Sequence, residues 1–285
     1  LSIFAGNAVA NYPKISLLHK SPGDSEKEHS KRGMMATAIA QAGNAAKSSA
    51  SVPGRRFDHL FFSSMALLML ATVFLGFAQT YYLAGVFHAS LPSRIVHIHG
   101  AAFSCWMLLL ITQTSLVAAG RVDLHRRLGI AGFLLGCLMV ILGVWAATDS
   151  LVRAAGPPGR DVLAFYLIPI MGMVIFATLL VFAFRARRDP TEHKRLIYIA
   201  TTALLIAAVS RWPFAVVNRK PQMAAFFTYF FLLTLASYDL WSTRKIHRAT
   251  LWAGAFLIIL QQSCFPIGQT AAWHAFASWV QTHAR

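Results

Sequence analysis

Seven long apolar stretches, separated by short basic loops, fill the chain from about Leu60 to Val280. Most reach or approach about 20 residues, the length a helix needs to cross a hydrocarbon layer roughly 30 Å thick. Inside lipid every backbone N–H and C=O must find a partner within the segment, so runs of this kind are helices. The expected fold is therefore all-α: a seven-helix transmembrane bundle with a disordered N-terminal tail. The expected spans are Leu60–Leu83, Ile95–Ala119, Leu128–Thr148, Val162–Phe184, Leu196–Val217, Met223–Leu240 and Leu251–Thr270.

Residues 1–57 differ from the rest. They mix Ser, Ala, Gly, Asn and Lys, and no apolar period lasts long enough to build a core, so they read as a disordered tail. The sequence opens on Leu, and Met34-Met35 offers a second start; the first 33 residues therefore read as a start-site artefact or the end of a truncated leader. Residues 58–285 form the transmembrane domain. Within it the seventh span is the most polar, with Gln261-Gln262-Ser263 in its middle. Pro266 should kink or end that helix. Ala271–Val280, with Trp273 and Trp279, reads as an interfacial piece, because Trp favours the headgroup level.

Charge supports the same class. Only 13% of residues are charged, against roughly 25% in soluble domains. The net charge of +16 would suggest nucleic acid in a soluble protein, but no nucleic-acid motif accompanies it. Here the basic residues flank membrane spans and face anionic lipid. Thirteen Lys and Arg lie in loops on one side and six on the other. That excess predicts a multi-pass protein of the inner (plasma) membrane, N-terminus cytoplasmic and C-terminus external. The partner it implies is the lipid bilayer. Cys105, Cys137 and Cys264 fall in apolar stretches at no metal-binding spacing and read as small buried hydrophobes.

Eleven histidines are the main chemical resource. On the inner side His125, His193 and His247 each stand with a basic residue just before a span, and are candidate metal ligands. Helix pairs 2–3, 4–5 and 6–7 thus resemble degenerate repeats of one hairpin. Asp189-Pro190-Thr191-Glu192 is a helix start: Asp as N-cap, Pro at the first position and Glu to close a capping box. On the outer side lie His97 and His99 in span 2 and His274 beyond span 7. Two residues apart, His97 and His99 point about 200° away from each other on a helix. Gly100 would let a neighbour approach His99 closely. Arg211, near the outer end of span 5, would face a polar cavity there and hold an anion, a haem propionate or Asp149. His97, His99, His274 and Arg211 are accordingly the candidate cofactor-binding residues, with haem a candidate cofactor. Asp239 closes span 6, with Arg244, Lys245 or a helix N-terminus as its expected partner.

His97-Ile98-His99-Gly100 and His125-Arg126-Arg127-Leu128-Gly129 resemble the H-x-H-G and H-R-x-L-G marks of a group of uncharacterised bacterial polytopic membrane proteins. Gly76–Tyr82 and Tyr238–Lys245 are similar to stretches of the same group. The resemblance covers about Phe57 to Val280 and implies a polytopic membrane fold. A weaker similarity is to transmembrane cytochromes b and ferric reductases, whose helix-borne His pairs clamp haem; this chain departs from them in lacking a second His pair at matching depth. Two function classes follow. One is a His-based cofactor-binding redox or assembly protein. The other is a transporter or channel, with Gln79, Gln113, Arg211, Gln261 and Gln262 along a polar path, or a non-catalytic sensor or scaffold.

Overall fold

The computed structural model describes residues 30–39, 53–90, 92–156, 159–218 and 220–284, all helices and connecting turns. The chain divides into two units, Leu1–Pro53 and Gly54–Arg285. In the first, residues 30–39 form a helix. The expected tail otherwise lies largely outside the described residues, and its last residues belong instead to the first long helix, which starts at Pro53.

Eight helices follow: α1 Pro53–Phe77, extended by a π-helical turn over Ala78–Tyr82; α2 Arg94–Ala118; α3 Val122–Val152; α4 Val162–Arg185; α5 Pro190–Val209; α6 Pro221–Thr243; α7 Arg248–Gly268; and α8 Ala271–His283. Six of them, α1 to α4, α6 and α7, are long and apolar enough to cross a membrane. The protein thus has the character of a multi-pass integral membrane protein in contact with lipid.

The count of seven does not carry over directly, and α5 is the reason. It is 20 residues long, about 30 Å, but Glu192, Lys194 and Arg195 crowd its first turns. It is also the most enclosed helix, with thirteen of its residues buried. α4, α6 and α7 pack around it. α1 closes against it where Gly76 meets the Ala208 backbone. The side chains that fill this centre include Phe176, Leu179, Ile199, Leu205 and Leu235, all essentially inaccessible. Polar bonds cross it too: Trp106 Nε1 on α2 donates to Thr201 Oγ1 at 3.2 Å, and Tyr198 Oη donates to Phe231 O at 3.0 Å.

Local chemistry sets the helix ends. Asp189 Oδ1 accepts from the Thr191 and Glu192 amides at 2.9 and 3.2 Å, and Pro190 occupies the first position, as its sequence predicts. The reciprocal half of the capping box is absent, because the Asp189 amide is already bonded to Ala186 O. α5 ends at Val209 rather than Val217. Pro213 has no N–H to donate and disfavours helical backbone at Trp212, so the chain leaves the helix before it. Pro266 lies two residues from the end of α7. Gly132 and Gly136 on α3 receive Leu109 of α2 and Leu180 of α4, the close approach that small residues at this spacing permit.

One expectation, the burial of all three cysteines, needs correction. α8 packs on α3 and α4. Its Trp273 turns inward, donating to Leu163 O at 2.8 Å and stacking on Tyr166, while Trp279 stays exposed. Cys105 and Cys137 are exposed, and only Cys264 is buried. An apolar thiol faces lipid as readily as it faces a core.

Candidate functional site

Because consecutive helices alternate in direction, the N-termini of α3, α5 and α7 gather at one end of the bundle, and most of its polar chemistry gathers with them. The centre is Asp239, wholly buried on the last turns of α6. Its Oδ1 accepts from Arg195 Nε at 3.0 Å and Nη2 at 2.5 Å. Its Oδ2 accepts from Thr250 Oγ1 at 2.6 Å and from the His247 amide at 3.0 Å. The remaining Arg195 nitrogen, Nη1, donates to Thr191 O at 2.7 Å. Each guanidinium nitrogen and each carboxylate oxygen thus has a hydrogen-bond partner, which is what lets such a pair exist when buried. The network joins the ends of α5, α6 and α7. A helix N-terminus was an expected partner of Asp239 and is one; Arg244 and Lys245 are not, and Arg195 takes their place.

A second pair lies beside the first. Lys194 Nζ donates to Asp58 Oδ2 at 2.7 Å, and Tyr238 Oη donates to Asp58 Oδ1 at 2.5 Å. This ties α1 to α5 and α6. Beside the Asp239 network, a cleft of about 590 Å³ is lined by Phe182, Asp189, Glu192, His247, Arg248, Ala249 and Trp252. His247 Nδ1 accepts from the Ala249 amide at 3.1 Å, so the imidazole is the N-cap of α7 and is neutral at that nitrogen. Burial pushes His247 below the ordinary imidazole range. Arg195 pushes the same way, and Asp239, Asp189 and Glu192 oppose.

Of the three inner histidines the structure brings two together. The rings of His125 and His193 lie 6.3 Å apart, nearly perpendicular. His193 Nδ1 is 2.8 Å from Ala183 O, which can only accept, so Nδ1 carries the proton. Gln113, with its amide assigned from its neighbours, donates to His125 Nδ1 at 2.6 Å and to His125 O at 3.2 Å, and accepts from the Gly129 amide at 3.0 Å. Both Nδ1 atoms are thus engaged behind the rings, and both Nε2 atoms have no hydrogen-bond partner among the described residues. His247 belongs to the neighbouring cleft instead. Among the described residues no three His, Cys, Asp or Glu side chains are placed to hold one metal ion.

The outer candidates have separate partners rather than a common one. His97 is exposed, beside the Tyr81 ring at 5.3 Å, and its carbonyl accepts from Tyr81 Oη at 3.1 Å. His99 turns the other way, into α3, as the spacing of the two predicts. Gly100 does admit a close neighbour: a Cβ there would lie 3.1 Å from Tyr81 Cζ. His274 Nε2 is 3.0 Å from Asp161 Oδ2 at the start of α4. Arg211 is exposed, donates to Ala207 O at 2.6 Å and lies over the Phe77 ring at 4.8 Å. It does not reach Asp149, which pairs with Arg153 at 2.6 Å and accepts from Ser93 at 2.8 Å.

The glutamines of the suggested polar path also diverge. Gln113 serves His125, Gln262 donates to Tyr229 Oη at 2.8 Å, Gln261 is buried against Ala203 O, and Gln79 is exposed. What sequence reasoning missed is Arg195, read as one more loop cation, and Met173, hidden in an apolar run. A clue existed for the first only: Arg195 sits one turn into a capped helix, where it cannot remain in the loop. No family model, curated protein or solved structure matches the chain.

Proposed function

We propose that this chain is a seven-span protein of the inner membrane, with its N-terminus in the cytoplasm, that binds a metal ion or an iron cofactor through histidine in a redox or assembly role. The observation that carries the reading is the His125–His193 pair. Two imidazoles bound to one ion through bonds of about 2.0–2.1 Å place their ring centres roughly 5–6 Å apart, close to the spacing found here. A ligating His typically has its other nitrogen bonded to a carbonyl or similar group, which fixes the ring. His193 meets that condition through Ala183 O. His125 meets it once the Gln113 amide turns over, at the cost of its bonds to His125 O and the Gly129 amide, so that its oxygen accepts from Nδ1–H and frees the Nε2 lone pair. With two protein ligands, the ion keeps open positions for a substrate or a partner's group.

The test is metal titration of the purified protein, with cobalt(II) as a coloured probe, beside its visible absorption spectrum. A cobalt band that His125→Ala and His193→Ala each abolish, while Gln113→Ala weakens it, is the expected result. An intense haem band lost in the same variants would identify the iron cofactor. Equal cobalt binding in wild type and both variants would remove the reading.

The seven-span arrangement rests on α5 having the length of a span and on the 13-to-6 asymmetry of basic loop residues. Reporter fusions after Lys220 and after Arg248 are expected to report opposite sides, with Lys220 outside. Lys220 inside and Arg248 outside would mean that α5 does not cross, and both on the same side would sink the topology.

A further inference from the structure

We propose that His99 Nδ1 and Met173 Sδ, at the junction of α2, α3 and α4, form a binding site for one copper(I) ion. The proposal is independent of the His125–His193 reading and concerns the opposite end of the bundle. His99 lies in the second turn of α2, and its Nδ1 is buried with no hydrogen-bond partner. A buried polar atom left in this way is uncommon and costs free energy unless something binds it.

Gly143 of α3 shows what lies beside it. A Cβ at this position would fall 2.2 Å from Met173 Sδ and 3.3 Å from His99 Cε1. The thioether and the imidazole therefore converge on a point of α3 where the side chain is missing. The glycine is the cradle: any larger residue would drive the sulfur out. Polar groups within spanning helices that face the bundle interior mark ligand paths more often than structure alone requires.

The chemistry of the two donors selects the ion. A thioether sulfur is soft and uncharged, and together with imidazole it favours copper(I) over magnesium, calcium or manganese, which take oxygen. A trapped water is a poor alternative. Water needs two to four polar partners, and a thioether is at best a weak acceptor.

The experiment is anaerobic titration of the full chain in detergent with copper(I), against a chromophoric copper(I) chelator, followed by X-ray absorption at the copper edge. Wild type is expected to show one equivalent with a sulfur scatterer. Met173→Leu, close in volume, should lose the sulfur signal and weaken that equivalent at least tenfold. Gly143→Ala should do the same by displacing the sulfur. The His125→Ala/His193→Ala variant should keep this equivalent, which separates the two sites. Copper(I) bound by wild type without a sulfur scatterer would overturn the proposal, as would unchanged affinity in folded Met173→Leu. The wild-type spectrum alone decides the matter if a variant fails to fold.

Discussion

Asp239→Ala is expected to destabilise the bundle by about 3–5 kcal/mol, the cost of removing one member of a buried ion pair and leaving the other uncompensated. Arg195 and Asp239 have side-chain exposures of 2% and 0%, so neither charge can turn to water when its partner goes. The loss extends beyond the pair. The same carboxylate accepts from Thr250 and from the His247 amide, so the start of α7 loses its anchor together with the end of α6. Thermal unfolding in detergent measures the effect. The Arg195→Met/Asp239→Leu double variant should recover more than half of the loss, because a matched apolar pair no longer carries an unpaired charge. Lys194→Ala is the contrast. That pair is partly exposed, at 26% and 33%, and should cost about 1 kcal/mol or less. If Asp239→Ala and Lys194→Ala proved equally mild, the buried network would not be what holds α5, α6 and α7 together.

The second large effect is steric. Gly76→Ala would place a Cβ 2.2 Å from Ala208 O and 2.7 Å from Ala208 C, both backbone atoms of α5. A side chain in the way could rotate aside; a helix backbone cannot, so α1 and α5 must separate. Overpacking of this kind costs about 1–3 kcal/mol, and Gly76→Leu should exceed Ala. Separation would also strain the Trp212 Nε1 bond to Thr72 O, 3.3 Å long, which ties the turn after α5 to α1. Gly254→Ala is the control, since nothing lies within 4 Å of its Cβ position. There the gain in helix propensity, up to about 1 kcal/mol, should appear as unchanged or raised stability. A fall in melting temperature of equal size in both variants would show that general helix chemistry, not the α1–α5 contact, is being measured.

The two networks explain why the polar end of the bundle was only partly legible. Asp189 capping α5 and His247 standing before α7 are local relations within a few residues, and the sequence displays them. Arg195 bonding Asp239 spans 44 residues and two helices. Nothing near either residue marks the other. By sequence proximity Asp239 pointed to Arg244 and Lys245, but these follow it past the helix end and stay exposed. The same holds for His125 and His193. Their similar settings before successive spans predicted a shared end of the bundle, but not that they would meet while His247 served the next cleft. His99, Arg211 and His274 show the converse. A common depth along three helices suggested one pocket, but depth leaves the angular position of each side chain open, and the helices face them to Met173, Phe77 and Asp161 instead.

What the sequence by itself determined is therefore one-dimensional: where apolar length suffices for a helix, where Asp189 and Pro190 start one, and where Pro266 comes close to the end of one. These depend on hydrophobic transfer and backbone hydrogen bonding, which act over a turn or a span. What only the tertiary structure decided is which faces meet. Nearly every residue along these helices is apolar, so periodicity carries little information about rotation, and rotation is set by fine packing: a missing Cβ at Gly76, Gly136 or Gly143, and a buried charge that must find its one partner. Those terms exist only once helices distant in sequence have come together.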